Sequence, residues 1–263
     1  MDELPKEEAA KDEPPKTTRT ATLLREAGTV AIALGFALIV RTVAAEPFNV
    51  PSSSMVPTLL VGDTLIAGKY TYGYSKFSAP FDLLPDFKGR LFEHAPERGD
   101  VVVFRLPRDT SINYVKRLIG LPGDRIKMQD GRLYINDEMV PRVDDGSYTA
   151  NFAGRDRPVH RYTETLPGGV SHTILELSDS GPYDSTSEYV VPPGHYFMMG
   201  DNRDNSLDSR VSPEDDGVGY VPVENLIGRV DRIMYSRDMN VPWWDLPQMV
   251  RTIRPERILA AVK

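Results

Sequence analysis

The sequence predicts a mainly β protein: one N-terminal transmembrane helix, then an antiparallel β-rich domain that carries an inserted, smaller β subdomain. Three observations predict this. A single uncharged apolar run occupies residues 27–40. Strand-like runs rich in β-branched and aromatic residues recur at 101–106, 112–119, 125–135, 188–200 and 226–235. Beyond residue 45 no long amphipathic pattern with helix caps interrupts them.

Residues 1–26 are rich in Glu, Lys, Pro and Ala and nearly free of large apolar side chains. Such a segment cannot bury enough surface to offset the entropy of ordering, so it reads as a disordered tail. The uncharged run alone rises only about 21 Å, short of a bilayer core. Extending it to Ala45 takes in Arg41, whose long side chain can snorkel to the interface, and residues 27–45 then read as the span. Lys16, Arg19 and Arg25 precede it and Arg41 alone closely follows, which orients the N-terminus to the cytoplasm and the β domain to the exported side. A cleavable leader is the competing reading, with Val43 and Ala45 at the −3 and −1 positions of a small-residue site. The acidic leader and the intervening Arg41 favour a retained anchor. A buried soluble helix would match in length but should show a polar face.

After the span, Pro47 and Pro51 hold the chain extended up to the serine run Ser52, Ser53, Ser54. A turn at Gly62 and Asp63 then leads into a short strand. Residues 70–97 form an aromatic loop whose rings either cover the core, the favoured reading, or touch lipid headgroups. The 125–135 run is a hairpin, with Asp130 and Gly131 supplying a type I′ turn. Residues 137–188 are polar, with weak strand signals. The expected organisation is therefore a tail at 1–26, an anchor at 27–45, the main β domain at 46–124 and 189–263, and the inserted subdomain at 125–188. Trp243 and Trp244 point to different faces of any regular element, which leaves one available for a membrane interface.

Composition excludes several function classes. A net charge of −7 gives no basic field for gripping phosphates, so no nucleic-acid partner is expected. With no cysteine, thiol nucleophiles, disulfides and zinc–thiolate sites are all ruled out. The four histidines show no paired metal-ligand spacing and read as ordinary packing or surface residues. Residues 62–69 imitate a phosphate loop, but five residues separate the glycines instead of four and Tyr70 stands where Ser or Thr would bind magnesium.

A serine hydroxyl needs a base, and with histidine sparse a buried lysine is the next candidate. Lys116 lies in the apolar strand-like run I-N-Y-V-K-R-L-I, where desolvation favours the neutral amine. Its neighbour Arg117 faces the other side of the strand, where a permanent charge requires a carboxylate. A third polar cluster, G-D-N-R-D-N-S-L-D-S-R at 200–210, follows an apolar strand. Taken alone it reads as a solvated loop, and only the ensemble of the three segments shifts that reading.

Together, P-S-S-S-M-V-P-T-L, Y-V-K-R-L-I-G-L-P-G-D and G-D-N-R-D-N-S-L-D-S-R resemble the three signature boxes of bacterial type I signal peptidases, in the family's order and behind an N-terminal anchor. The resemblance implies a signal-peptidase-like fold and a membrane-bound serine endopeptidase that removes signal peptides from exported preproteins, without cofactor or metal. It implies Ser54 as nucleophile and Lys116 as general base. Ser52, with the backbone N–H of Ser54, forms the oxyanion hole, and Ser206 orients the amine. Asp208, Arg117, Arg210 and Asp201 complete ion pairs that hold the boxes together. Val50, Met55, Leu59, Tyr114 and Val115 fall where the family lines its substrate pockets. It further implies a single-pass protein of the bacterial inner membrane, in contact with the bilayer and near the export translocon. Ser53 departs from the family's pattern, so the choice of Ser54 rests on its position before Met55. The competing readings are another Ser-Lys processing peptidase, of the conjugation type, and a non-catalytic membrane-tethered assembly factor.

Overall fold

The computed structural model describes residues 19–262, except 44, 80–84, 86, 153, 240 and 242–243. Most of the expected tail, Phe81 and Trp243 therefore lie outside the described residues. The chain divides into two units, residues 1–39 and residues 40–263.

The described residues of the first unit are helix. Helix α1 (Arg19–Val43) begins eight residues before the expected start of the span. The residues it adds, R-T-A-T-L-L-R-E, contain neither Pro nor Gly and carry strong helix formers, so nothing stops the helix at residue 27. Its apolar window is Ala21–Leu38, in which Leu24, Ile32, Leu34 and Phe36 are exposed. Twenty-five residues rise about 37 Å, enough to cross a hydrocarbon core of about 30 Å.

In the second unit the described strands are β1 (Ala45–Asn49), β2 (Asp63–Gly68), β3 (Val101–Leu106), β4 (Asp109–Gly120), β5 (Arg125–Gln129), β6 (Arg132–Ile135), β7 (Glu138–Met139), β8 (Arg142–Phe152), β9 (Arg155–Thr165), β10 (Ser171–Glu176), β11 (Tyr189–Val190), β12 (His195–Met199), β13 (Val221–Pro222) and β14 (Leu226–Ser236). A short helix, α2 (Leu246–Arg251), follows, capped by the Asp245 carboxylate. The main sheet has the order β1-β2-β14-β3-β4-β12-β13, and every neighbouring pair is antiparallel. It is buried on both faces, which is why β3 reads V-V-V-F-R-L with no alternation. Val101 and Val103 join a core with Val50, Met55, Leu59 and Leu65. Val102 and Phe104 join another with Tyr72, Leu118, Tyr196 and Met198. Tyr72 thus carries the aromatic loop into the core, whereas Tyr70 and Phe92 are exposed.

Two smaller sheets complete the unit, ordered β10-β9-β8 and β11-β5-β6-β7. The β5–β6 hairpin turns at Asp130 and Gly131, both with positive φ, as a type I′ turn requires. Residues 137–188 hold more strand than their sequence signals, because β8 and β9 are eleven residues each. Much of both strands is exposed, so the inside–outside alternation that marks a half-buried strand is missing, and Gly146 and Pro158 add breaker signals. The expected boundaries at 125 and 188 are not breaks in packing. Ile126, Met128, Leu133 and Leu166 share one core with Ile119, Phe197 and Met199. Strand β11 pairs directly with β5.

Candidate active site

The serine run sits in the connection between β1 and β2, and the chain pins that connection at both ends. Val50 N–H donates to the Asp63 carbonyl at 2.9 Å, and Gly62 N–H returns to the Val50 carbonyl at 3.0 Å. Between them Met55 and Leu59 are fully buried anchors. The 200–206 segment grips the same turn: Asn202 N–H donates to the Ser54 carbonyl at 3.0 Å, and the Asn202 side chain to the Ser53 carbonyl at 3.1 Å. Ser54 is thereby held by backbone hydrogen bonds and core packing together.

Strand β4 delivers the lysine. Lys116 Nζ stands 2.5 Å from Ser54 Oγ, and the two residues are 3% and 6% exposed. Burial lowers the Lys116 amine to about 8, against the opposing pull of Asp208 and Asp201. Among the described residues no carboxylate comes within ion-pair distance of it, so the amine can lose its proton near neutrality. A second buried lysine, Lys69, shows the contrast, with Glu46 at 2.8 Å and the Ser78 carbonyl at 2.6 Å. Ser52 Oγ lies 3.4 Å from Ser54 Oγ.

Because strand neighbours alternate, Arg117 points away from Lys116. Its guanidinium meets both Asp201 oxygens at 2.8 Å, each side chain essentially unexposed. Burial pulls Asp201 upward, but the Arg117 charge and hydrogen bonds win and hold its carboxyl well below the usual range. Asp208 and Arg210 form a second bidentate pair at 2.9 Å, and against the burial penalty Arg210 likewise holds Asp208 down. Asp208 Oδ2 also accepts from Gly200 N–H at 3.0 Å. The pairs tie β4, the turn after β12 and the serine connection into one block.

The lysine and serine face a cavity of about 510 Å³. Its walls are Phe48, Asn49, Pro51 and Ser52 on one side, residues 112–116 of β4 on another, and Tyr183, Asp204, Asn205, Ser206 and Leu207 on a third, with Leu65 and Val103 beneath. Of the residues expected to line a substrate pocket, Tyr114 and Val115 line this cavity. Val50, Met55 and Leu59 are not among its walls: they are buried in the core with Leu65, Val101 and Val103. Motif position specifies where a residue stands in the chain, and not which way it faces. Ser206 reaches the cavity, but its buried Oγ makes no hydrogen bond and so does not yet orient the amine. It packs instead against Gly200.

One buried group had no signal in the sequence beyond being a histidine in a polar segment. His172 lies between Glu164, at 3.3 Å, and Asp201, at 3.4 Å. Glu164 in turn pairs with the buried Arg203 at 2.5 and 3.0 Å. Burial opposes ionisation of Glu164, yet Arg203 and His172 bring it down to about 2.

The family model for signal peptidase, peptidase S26, matches residues 23–235, a stretch that contains every group in this block. The chain is 41% identical over 237 residues to signal peptidase I of Rickettsia conorii, covering 88% of this chain and 85% of that protein. It is 43% identical over 232 residues to signal peptidase I of Rickettsia prowazekii, covering 85% and 84%. A crystal structure of a signal peptidase I from Enterococcus faecalis is similar at 28% identity, covering 52% of this chain and 97% of that one with a TM-score of 0.31. A match that runs from the apolar helix to β14 takes in the serine turn, the lysine strand and the aspartate–arginine pairs alike, and the chain belongs to the peptidase S26 family of signal peptidases, which are serine peptidases.

Proposed function

We propose that this enzyme removes N-terminal signal peptides from exported preproteins, cleaving after small residues at −1 and −3 with a Ser54–Lys116 dyad. The observation that carries this reading is the 2.5 Å approach of Lys116 Nζ to Ser54 Oγ at the wall of a partly apolar cavity. The neutral amine takes the hydroxyl proton as Ser54 Oγ attacks the scissile carbonyl, then gives it to the leaving amine. The Ser54 N–H and Ser52 Oγ receive the negative charge of the tetrahedral intermediate. Water, activated by the same lysine, hydrolyses the acyl-enzyme. Ser206, which shares the cavity and has no other partner, turns its hydroxyl to the amine when substrate narrows the space.

Two strand edges support an extended substrate. Strand β1 lies at one edge of the main sheet and, among the described residues, is paired only with β2. Strand β4 is paired with β12 only at residues 117–120, which leaves its cavity-lining stretch open on that side. A peptide laid between them adds as a strand, and its alternate side chains enter the cavity beside Tyr114 and Val115. Residues of alanine size fit where larger ones would clash.

Helix α1 anchors the enzyme in the bacterial inner membrane with its N-terminus cytoplasmic, so that the β domain meets preproteins on the exported side, close to the translocon. The decisive experiment incubates the purified full chain with a preprotein in detergent and sequences the new N-terminus. Cleavage after a small residue at the signal boundary, blocked by a serine-acylating penem, is the expected result. Cleavage elsewhere, or none, would overturn the reading.

A further inference from the structure

We propose that Glu176, Asp184 and Asp204 form a binding site for a hard divalent cation of the Ca²⁺ class. The three come from the end of β10, the 177–188 loop and the turn that leads to Ser206. One oxygen from each lies within 4.8 Å of the others. Calcium takes oxygen ligands at about 2.3–2.6 Å, so ligands across the ion stand about 5 Å apart, a span within which these three already lie.

A cluster of acids alone would mean little. Here, however, both carboxylate oxygens of Glu176 and Oδ1 of Asp184 are buried with no hydrogen-bond partner, and each residue is only 1% exposed. Buried polar atoms are nearly always satisfied, and a carboxylate more strictly than most. The neighbouring cations are already committed. Arg203 is held by Glu164 and Arg210 by Asp208. Arg142 Nη1 stands 3.7 Å from Glu176 Oε1 and donates instead to the Gly131 carbonyl at 2.8 Å.

The remaining oxygens are aimed by the backbone. Asp184 Oδ2 accepts from Gly181 N–H at 2.6 Å, and Asp204 Oδ2 from the N–H groups of Leu177 and Ser178 at 2.6 and 3.1 Å. Such bonds orient ligating carboxylates. An all-oxygen set drawn from a strand end, a loop and a turn suits the adaptable shell of calcium better than the strict octahedron of magnesium or the nitrogen and sulfur preferences of zinc. Asp204 lines the cavity, which gives the ion a way in. Once bound, it ties the 177–188 loop to residues 203–206.

The test uses the purified full chain in detergent after treatment with a chelator. Tb³⁺ luminescence excited through Tyr183, the neighbour of Asp184, should appear on titration and be displaced by Ca²⁺. Saturating Ca²⁺ should raise Tm by about 5 °C and slow amide exchange at residues 203–208. Glu176→Gln, which keeps size and shape, should abolish all three responses, as should Asp204→Asn on the more accessible rim. No change in Tm with Ca²⁺, or an equal response in wild type and both variants, would overturn the proposal.

Discussion

Asn205 Nδ2 donates to Ser53 Oγ at 2.7 Å, which occupies the middle serine of the run with a structural bond while Ser54 Oγ faces Lys116. The two hydroxyls should separate by substitution. Ser54→Ala should lower kcat by about 10³-fold or more while leaving the fold intact. Ser53→Ala should lose about 1 kcal/mol of stability and keep most of its activity. Preprotein cleavage assays and urea unfolding on both variants check this, and an active Ser54→Ala would move the nucleophile.

The pH profile follows from the amine. Lys116 must be neutral to accept a proton, and its lowered value of about 8 places the rising limb of kcat/KM there. A histidine base would place the limb near 6.5 instead. Lys116→Arg keeps the charge but cannot act as a base near neutrality, so it should be inactive at every pH up to 10. Activity in that variant would remove Lys116 from the dyad.

Gly200 is tested by adding one methyl group. A Cβ there would fall 2.5 Å from both the Ser54 carbonyl oxygen and Ser206 Cβ, well inside any real contact. Gly200→Ala should therefore displace the nucleophile turn and cut kcat/KM by about 100-fold or more, with a fall in Tm. Wild-type kinetics in this variant would mean that the turn is softer than its packing implies.

Acid stability should track Glu164. Its folded value of about 2 lies below the unfolded reference of about 4.3. The pairing with Arg203 therefore contributes stability above that reference, and the contribution is lost as pH falls from about 4 to about 2. The loss should be of order 3 kcal/mol. Glu164→Gln should be less stable at pH 7 and show a flatter slope across that window in urea unfolding. An unchanged slope would assign acid lability to other carboxylates.

Topology is checked in cells. Protease added to spheroplasts should digest residues 46–263 and leave a short protected fragment containing α1. Protection of the β domain, or release of a soluble form beginning at Glu46, would refute the anchor.

Much of the site was legible because its residues are chemically odd where they stand. A lysine and an arginine inside V-K-R-L-I demand one desolvated amine and one ion pair, and the structure holds Lys116 at Ser54 and Arg117 at Asp201. The Asp130 and Gly131 turn was legible because positive φ has few tenants. The long β8–β9 pair was not, since exposure on both faces removes the period of two. Nor were the facing of Val50, Met55 and Leu59, the bracketing of His172, or the meeting of Glu176 with Asp184 and Asp204. These are matters of three-dimensional adjacency between distant segments, and no local spacing encodes them.

The pairing of Arg203 with Glu164 bears on how this protein can be shortened. Residues 137–188 look dispensable on paper, polar and weakly patterned. Yet β9 supplies the carboxylate for a guanidinium that sits wholly inside the neighbouring turn. A minimal enzyme made by looping out 142–176 would lose that carboxylate together with the strands that cover the turn, leaving Arg203 unpaired and the segment before Ser206 unsupported. Such a truncation should fail first as insoluble protein, long before its turnover could be measured.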